Sequence, residues 1–225
     1  MKLNAHSCGI VDCDTWFEKR PPKKGDKQWK EGRSAFELAK FITDALPSVP
    51  REIETALSRL VADDTTFDWD AEYVTALPAS REGRNHDAIL FNDDIVVTIE
   101  AKADETLGNL IEEEISNASV NKLNRISSLL SIIFKNSFNG YHGLRYQLLT
   151  AAAGTVLEAE KRGVDSAVML VLVFKTNGTV SEKNLASNHK DIESFLDATG
   201  AHKENDLWII PNNSRKTLYF KEIVI

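Results

Sequence analysis

HDAILFNDDIVVTIEAK, residues 86–102, decides how this chain is read. Ile95 to Ile99 is an unbroken run of strand-forming residues, and Glu100, Ala101 and Lys102 follow with no turn residue between. Successive strand residues alternate in direction, so Glu100 and Lys102 share one face and Ala101 takes the other. Charge on the buried face of a strand is costly unless it is paired. Upstream, HDAILF has the same strand character, and Asp93-Asp94 suits a two-residue hairpin turn. Pairing Asn92 with Ile95 then sets Asp87 opposite Glu100, with Cβ atoms about 5 Å apart. A register shift of two keeps them together, and a shift of one separates them.

Two carboxylates that close repel unless a cation lies between them. A hard divalent ion with oxygen ligands is the natural occupant. Mg2+ suits a site with few carboxylates, because water and substrate phosphate complete its shell, and Mn2+ is the expected substitute.

The rest of the chain bounds the surroundings. With 225 residues and 42% hydrophobic content it can build one well-buried domain, 1–225. The longest apolar run, AVMLVLVF (167–174), is strand-sized rather than membrane-sized, and MKLNAHSCGIVDCD lacks the apolar core of a signal peptide. Two cysteines, Cys8 and Cys13, make no disulfide framework, so a cytoplasmic location is expected. His6, Cys8 and Cys13 read as half a zinc site with no second pair to complete it.

Net charge is −7, which argues against broad attraction to nucleic acid. The charge is uneven, however. Residues 19–33 (KRPPKKGDKQWKEGR) carry +5, and Asn117 to Leu157 holds no acid but has Lys122, Arg125, Lys135 and Arg145. With these set aside the remainder carries −16. Taken alone, 19–33 reads as a solvated proline-rich loop. Beside an acidic site it offers Lys23, Lys24, Lys27 and Arg33, with Arg145, as nucleic-acid contacts. Trp29 reads either as a base-stacking ring or as an anchor packed on the domain.

Periodicity predicts helices over 34–46 and 51–63, a strand over 66–77, the hairpin, and two helical patterns within 103–137. A long helix over 143–161 stops at Gly163, and a buried strand over 166–176, a helix over 183–199 and one or two final strands follow. Ser34 with Glu37 three later has the form of a capping box. The order predicts an α/β fold of the α+β kind, a mixed sheet carrying helices.

An aspartate, twelve intervening residues and then Glu-Ala-Lys across a hairpin resembles the PD-(D/E)XK nuclease superfamily, and within it the chain is most similar to bacterial members. A glutamate-bearing helix precedes the hairpin here, and a Tyr-Gln helix follows it. The resemblance implies a restriction-endonuclease-like core over about 34–176, a helical insertion over about 104–140 and a C-terminal extension, 177–225. It implies that Asp87, Glu100 and the Ala101 carbonyl hold Mg2+, and that Lys102 orients or deprotonates the attacking water and stabilises phosphate charge. Gln147, assisted by Tyr146 or Arg145, and Glu37 complete the implied catalytic set. His86 stands where many members carry proline, and the stretch between Lys102 and the Tyr-Gln helix is long for the family. The implied function is a metal-dependent DNA endonuclease of restriction, defence or repair, acting alone or as a homodimer.

Three other readings stand beside it. A nuclease-like fold could bind nucleic acid or a protein without turnover. An enzyme of small phosphorylated substrates lacks the expected glycine-rich phosphate loop. Glu-x-Lys by itself is commonly a surface ion pair. Asp63, Asp64, Asp68 and Asp70 read as solvated turn charges, with Glu72 within reach of the site.

Overall fold

The computed structural model describes residues 1–4, 7–79, 81–116, 118–134, 140–175 and 182–225. His6, Lys135 and Thr176 lie outside them. The strands are β1 (Lys2–Leu3), β2 (Thr66–Thr75), β3 (Arg84–Phe91), β4 (Ile95–Lys102), β5 (Ser166–Val173), β6 (His202–Glu204), β7 (Leu207–Ile210) and β8 (Thr217–Val224). The helices are α1 (Cys13–Lys19), α2 (Ser34–Thr43), α3 (Arg51–Leu57), α4 (Ile111–Ser116), α5 (Val120–Ile133), α6 (Tyr146–Arg162) and α7 (Glu182–Thr199). The fold is mixed α/β, and one eight-stranded sheet runs β1-β2-β3-β4-β5-β8-β7-β6. Among the described residues no helix is long and apolar enough to cross a membrane.

Each side of the sheet has its own core. On β5, Ala167, Met169, Val171 and Val173 pack with α5, α6 and α7. Val168, Leu170 and Leu172 pack with α1, α2 and α3. A strand buried on both faces is apolar throughout, which is why AVMLVLVF shows no alternation. The central strand β4 is buried at every residue, charges included.

The hairpin forms with the expected turn. Asn92 N–H donates to the Ile95 carbonyl at 3.1 Å. The Asn92 side chain accepts from the N–H groups of Asp94 and Ile95 at 2.9 and 3.0 Å. Register runs from Phe91↔Val96 to Ala88↔Ile99, as the spacing predicts. The ladder ends there. Glu72 on β2 has φ 49°, in the left-handed region, and the paired strands lose their alternation there. Ala71 and Ala88 join the α1–α3 core, whereas Tyr73 packs with the α6 side. Asp87 therefore sits at a twist, not at an ordinary position facing Glu100.

Several elements depart from the periodicity. Helix α3 ends at Leu57, not at 63, because Leu60 N–H bonds the Leu57 carbonyl in a tightened last turn. The long helix starts at Tyr146, after a 3-10 turn at Tyr141–Gly143, and stops at Gly163 (φ 75°) as expected. Strands β1 and β6 and helix α1 were not expected. Helix α1 is capped by Asp12 and buries Trp16 against Trp69, with centroids 5.8 Å apart. The C-terminal segment is no appendage, since β8 lies parallel to β5 inside the sheet.

Candidate functional site

The C-terminal end of β4 opens onto a groove of about 570 Å³, a size in the range of ligand pockets. Asp87, Glu100, Ala101 and Lys102 line it, together with Gln147, Glu105, Ser34 and the basic residues Lys24, Lys27 and Arg33. Hairpin, α2 and α6 thus meet at one place.

Glu100 is 3% exposed and Lys102 5%. At that depth an isolated charge is not sustained, so each must be paired. Lys102 Nζ donates to Glu100 Oε1 at 2.6 Å. Gln147 Nε2 donates to the same oxygen, and Arg84 donates to Glu100 Oε2. Burial pushes the Glu100 carboxyl up, but the charges of Arg84 and Lys102 outweigh it and hold the group below its usual range. Burial lowers the Lys102 amine, yet Glu100 and Asp87 more than compensate and raise it. Lys102 is therefore a cation.

Asp87 does something different. Its Oδ2 accepts the Ala101 N–H at 2.7 Å, taking the place of a ladder partner where β3 has turned away. In a strand the N–H and C=O of one residue face the same neighbour, so the Ala101 carbonyl also looks toward the twist, past the last paired residue. Burial, then the charge of Glu100, push the Asp87 carboxyl up to about 8 against the pull of Lys102. The preceding residue, His86, is buried against Gly154 of α6. Burial, then the charge of Arg84, hold its ring well below the ordinary histidine value.

The remaining expected residues separate. Glu37 is not in the groove wall; its carboxylate accepts the Gly32 N–H at 2.7 Å and ties down the loop before α2. The capping box does not form, because Ser34 is already helical and its hydroxyl donates to Glu105. Glu105 and Arg84 were both missed. Neither lies at a motif position, although Glu105 follows Lys102 by three and Arg84 precedes Asp87 by three.

Trp29 packs between Phe17 and Phe36, with centroids 5.1 and 5.7 Å away, and is the anchor of its loop. Arg145 is tied to Asp191 at 2.7 Å and to the Gly108 carbonyl at 2.8 Å. Asp70 is no solvated charge but the partner of Arg20, at 2.9 Å. Asp68 accepts from Asn4 at 2.7 Å. Cys8 and Cys13 are free thiols. Among the described residues no group of three or more His, Cys, Asp or Glu side chains is placed to hold a metal.

The chain is thus a mixed eight-stranded sheet with a carboxylate, lysine and glutamine cluster at a strand end. The chain belongs to the DUF6946 family, a domain of unknown function, which it matches over residues 10–224. No curated protein and no solved structure matches it.

Proposed function

We propose that the protein is a metal-dependent nuclease that hydrolyses phosphodiester bonds, with DNA as substrate, on a restriction-endonuclease-like core. The observation that carries this is the convergence of Asp87, Glu100, Lys102 and Gln147 at one groove whose wall also holds Lys24, Lys27 and Arg33. The element order from α2 through β2, β3 and β4 to α6 and β5 supports the same core.

The donors fit Mg2+ or Mn2+. Asp87, Glu100 and the Ala101 carbonyl offer only oxygen, and a pair of carboxylates suffices for an ion that keeps water and phosphate ligands. When bound, such an ion supplies polarisation of the phosphoryl oxygen and an activated water. Lys102, paired with Glu100, orients or deprotonates the water and stabilises the phosphate as negative charge builds. Gln147 keeps Glu100 oriented through its hydrogen bond. Lys24, Lys27 and Arg33 carry the strand backbone, which repels the acidic remainder of the protein.

One observation favours a module that binds without turnover: both Glu100 oxygens are already neutralised, by Arg84 on one and by Lys102 and Gln147 on the other. Incubation with plasmid, linear duplex and single-stranded DNA, with Mg2+, Mn2+ or EDTA, separates the two. Cleavage that needs the ion and disappears in Lys102→Ala supports the enzyme. Binding without cleavage under every ion selects the silent module.

A further inference from the structure

Beside the groove lies a second cavity, of about 350 Å³. The two are adjacent, since Gly108 and Gln147 line both. Arg84, Asn85, Asn109, Arg125, Tyr146 and Thr150 stand in its wall. Arg125 comes from α5, inside the stretch between the hairpin and α6 to which the catalytic set assigns nothing.

Three residues of the wall carry donors without acceptors. Nε of Arg84, Nε of Arg125 and the Tyr146 hydroxyl are buried and have no hydrogen-bond partner. Buried donors in that state are rare, and each raises the question of what it pairs with. Among the described residues the single acid in the wall, Glu114, is already engaged by Lys122 and by Asn109 at 2.9 Å. Arg84 is half-engaged, since its terminal nitrogen holds Glu100. Among the described residues Arg125 has no ion pair, which leaves one uncompensated positive charge over the cavity. A ligand with several acceptor oxygens and negative charge satisfies this wall, and a guanidinium fork matches phosphate in geometry as well as in sign.

We propose that this cavity is a phosphate subsite, in which Arg125 and Tyr146 hold the phosphate next to the reacting one on a nucleic-acid strand. The inference rests on the nuclease reading for the strand but not for the anion. Through Arg84, which lines this cavity and holds Glu100 of the groove, an occupied subsite also bears on that carboxylate: a phosphate drawing on the guanidinium loosens the pair that neutralises it. The helical stretch containing α5 thereby acquires a role, delivery of a cation to the substrate path.

The test uses the full chain and two probes. Thymidine 5′-monophosphate without metal should raise the melting temperature of the wild type, whereas thymidine should not. Arg125→Gln and Tyr146→Phe should each lose most of that rise, and Asp87→Asn should keep it. With a duplex oligonucleotide and Mn2+, Arg125→Gln should raise KM by about tenfold, and Arg125→Lys should recover part of the loss. A wild type indifferent to the monophosphate, or an Arg125→Gln that responds like wild type, overturns the subsite whatever the cleavage assay gives. A monophosphate response lost in Arg125→Gln with KM on duplex unchanged overturns the assignment to the strand. Absence of any cleavage by a wild type that does respond to the monophosphate removes the nuclease reading and retains the anion site.

Discussion

Asp87 on β3 accepts the backbone N–H of Ala101 on β4 at 2.7 Å, and so stands where a paired strand residue would otherwise be. The arrangement follows from the twist at Glu72, which ends the regular ladder at Ala88↔Ile99. It brings the Asp87 carboxylate beside Glu100 without placing it squarely across the hairpin. It also links the two carboxylates electrically, since the charge of Glu100 helps to raise the Asp87 carboxyl to about 8.

Stability of the metal-free protein should carry that signature. The folded value exceeds the ordinary 3.8, so the fold favours the protonated form. The contribution is complete below the ordinary value and is lost as pH rises through about 8. Asp87→Asn should remove this slope and melt higher than wild type at pH 9 in EDTA. Equal melting points at that pH would mean that no repulsion is stored there.

Metal should restore the order. Mn2+ binding needs Asp87 ionised, so it releases a proton and strengthens as pH climbs toward about 8. The wild-type melting temperature should rise with millimolar Mn2+, more at pH 8.5 than at pH 6.5. Asp87→Asn should respond little at either. A variant that follows the wild-type titration places the ion elsewhere.

Lys102→Ala should lower cleavage by at least about 100-fold, the scale for removing a preorganised charge at a reacting phosphate. Its effect on folding is a separate matter. Breaking a buried pair costs about 3–5 kcal/mol when it strands a charge, but Arg84 and Gln147 still hold Glu100. The loss should fall below that range, and circular dichroism should show an intact fold. Wild-type turnover by this variant would end the assignment of Lys102.

Gly154→Ala weighs two opposed effects. Alanine gains about 0.5–1 kcal/mol over glycine within a helix. A Cβ at this position would lie 2.9 Å from Nε2 and 3.1 Å from Cε1 of the buried His86 ring, and overpacking costs about 1–3 kcal/mol. Overpacking should win, and the denaturant midpoint should fall. His86→Leu should flatten the acid limb as well. The folded ring resists protonation, so its contribution is present above pH 6.5 and is lost as pH falls.

The basic loop should show itself in salt. Lys24 and Lys27 line the groove and Lys23 is exposed. Replacing all three with Ala should flatten the dependence of log affinity on log salt by about 0.9 for each phosphate no longer neutralised. Arg145→Ala is the contrast. It breaks the Asp191 pair, so it should lower the melting temperature and leave the salt slope alone. An unchanged slope in the triple variant makes 19–33 an ordinary surface segment.

The hairpin was legible because its signals are local. A two-residue turn and a side-chain period of two place Ile99 against Ala88 with no help from the rest of the chain. Helix α6 and its stop at Gly163 were legible for the same reason, an apolar stripe ended by a residue free to take positive φ. What lay beyond reach depends on partners distant in sequence. Strand β8 slots between β5 and β7, and nothing in a continuously apolar strand says which neighbour it will take. Ser34 meets Glu105 across 71 residues, and Gln147 meets Glu100 across 47. Only packing the two cores on one sheet brings those groups together. Glu37 was misjudged because a glutamate one turn into a helix can turn to its own loop or to the site, and sequence spacing is the same for both. The residues able to meet at the end of β4 are written in the chain; which of them do is decided by the sheet order and by the left-handed residue at Glu72 that turns β3 aside.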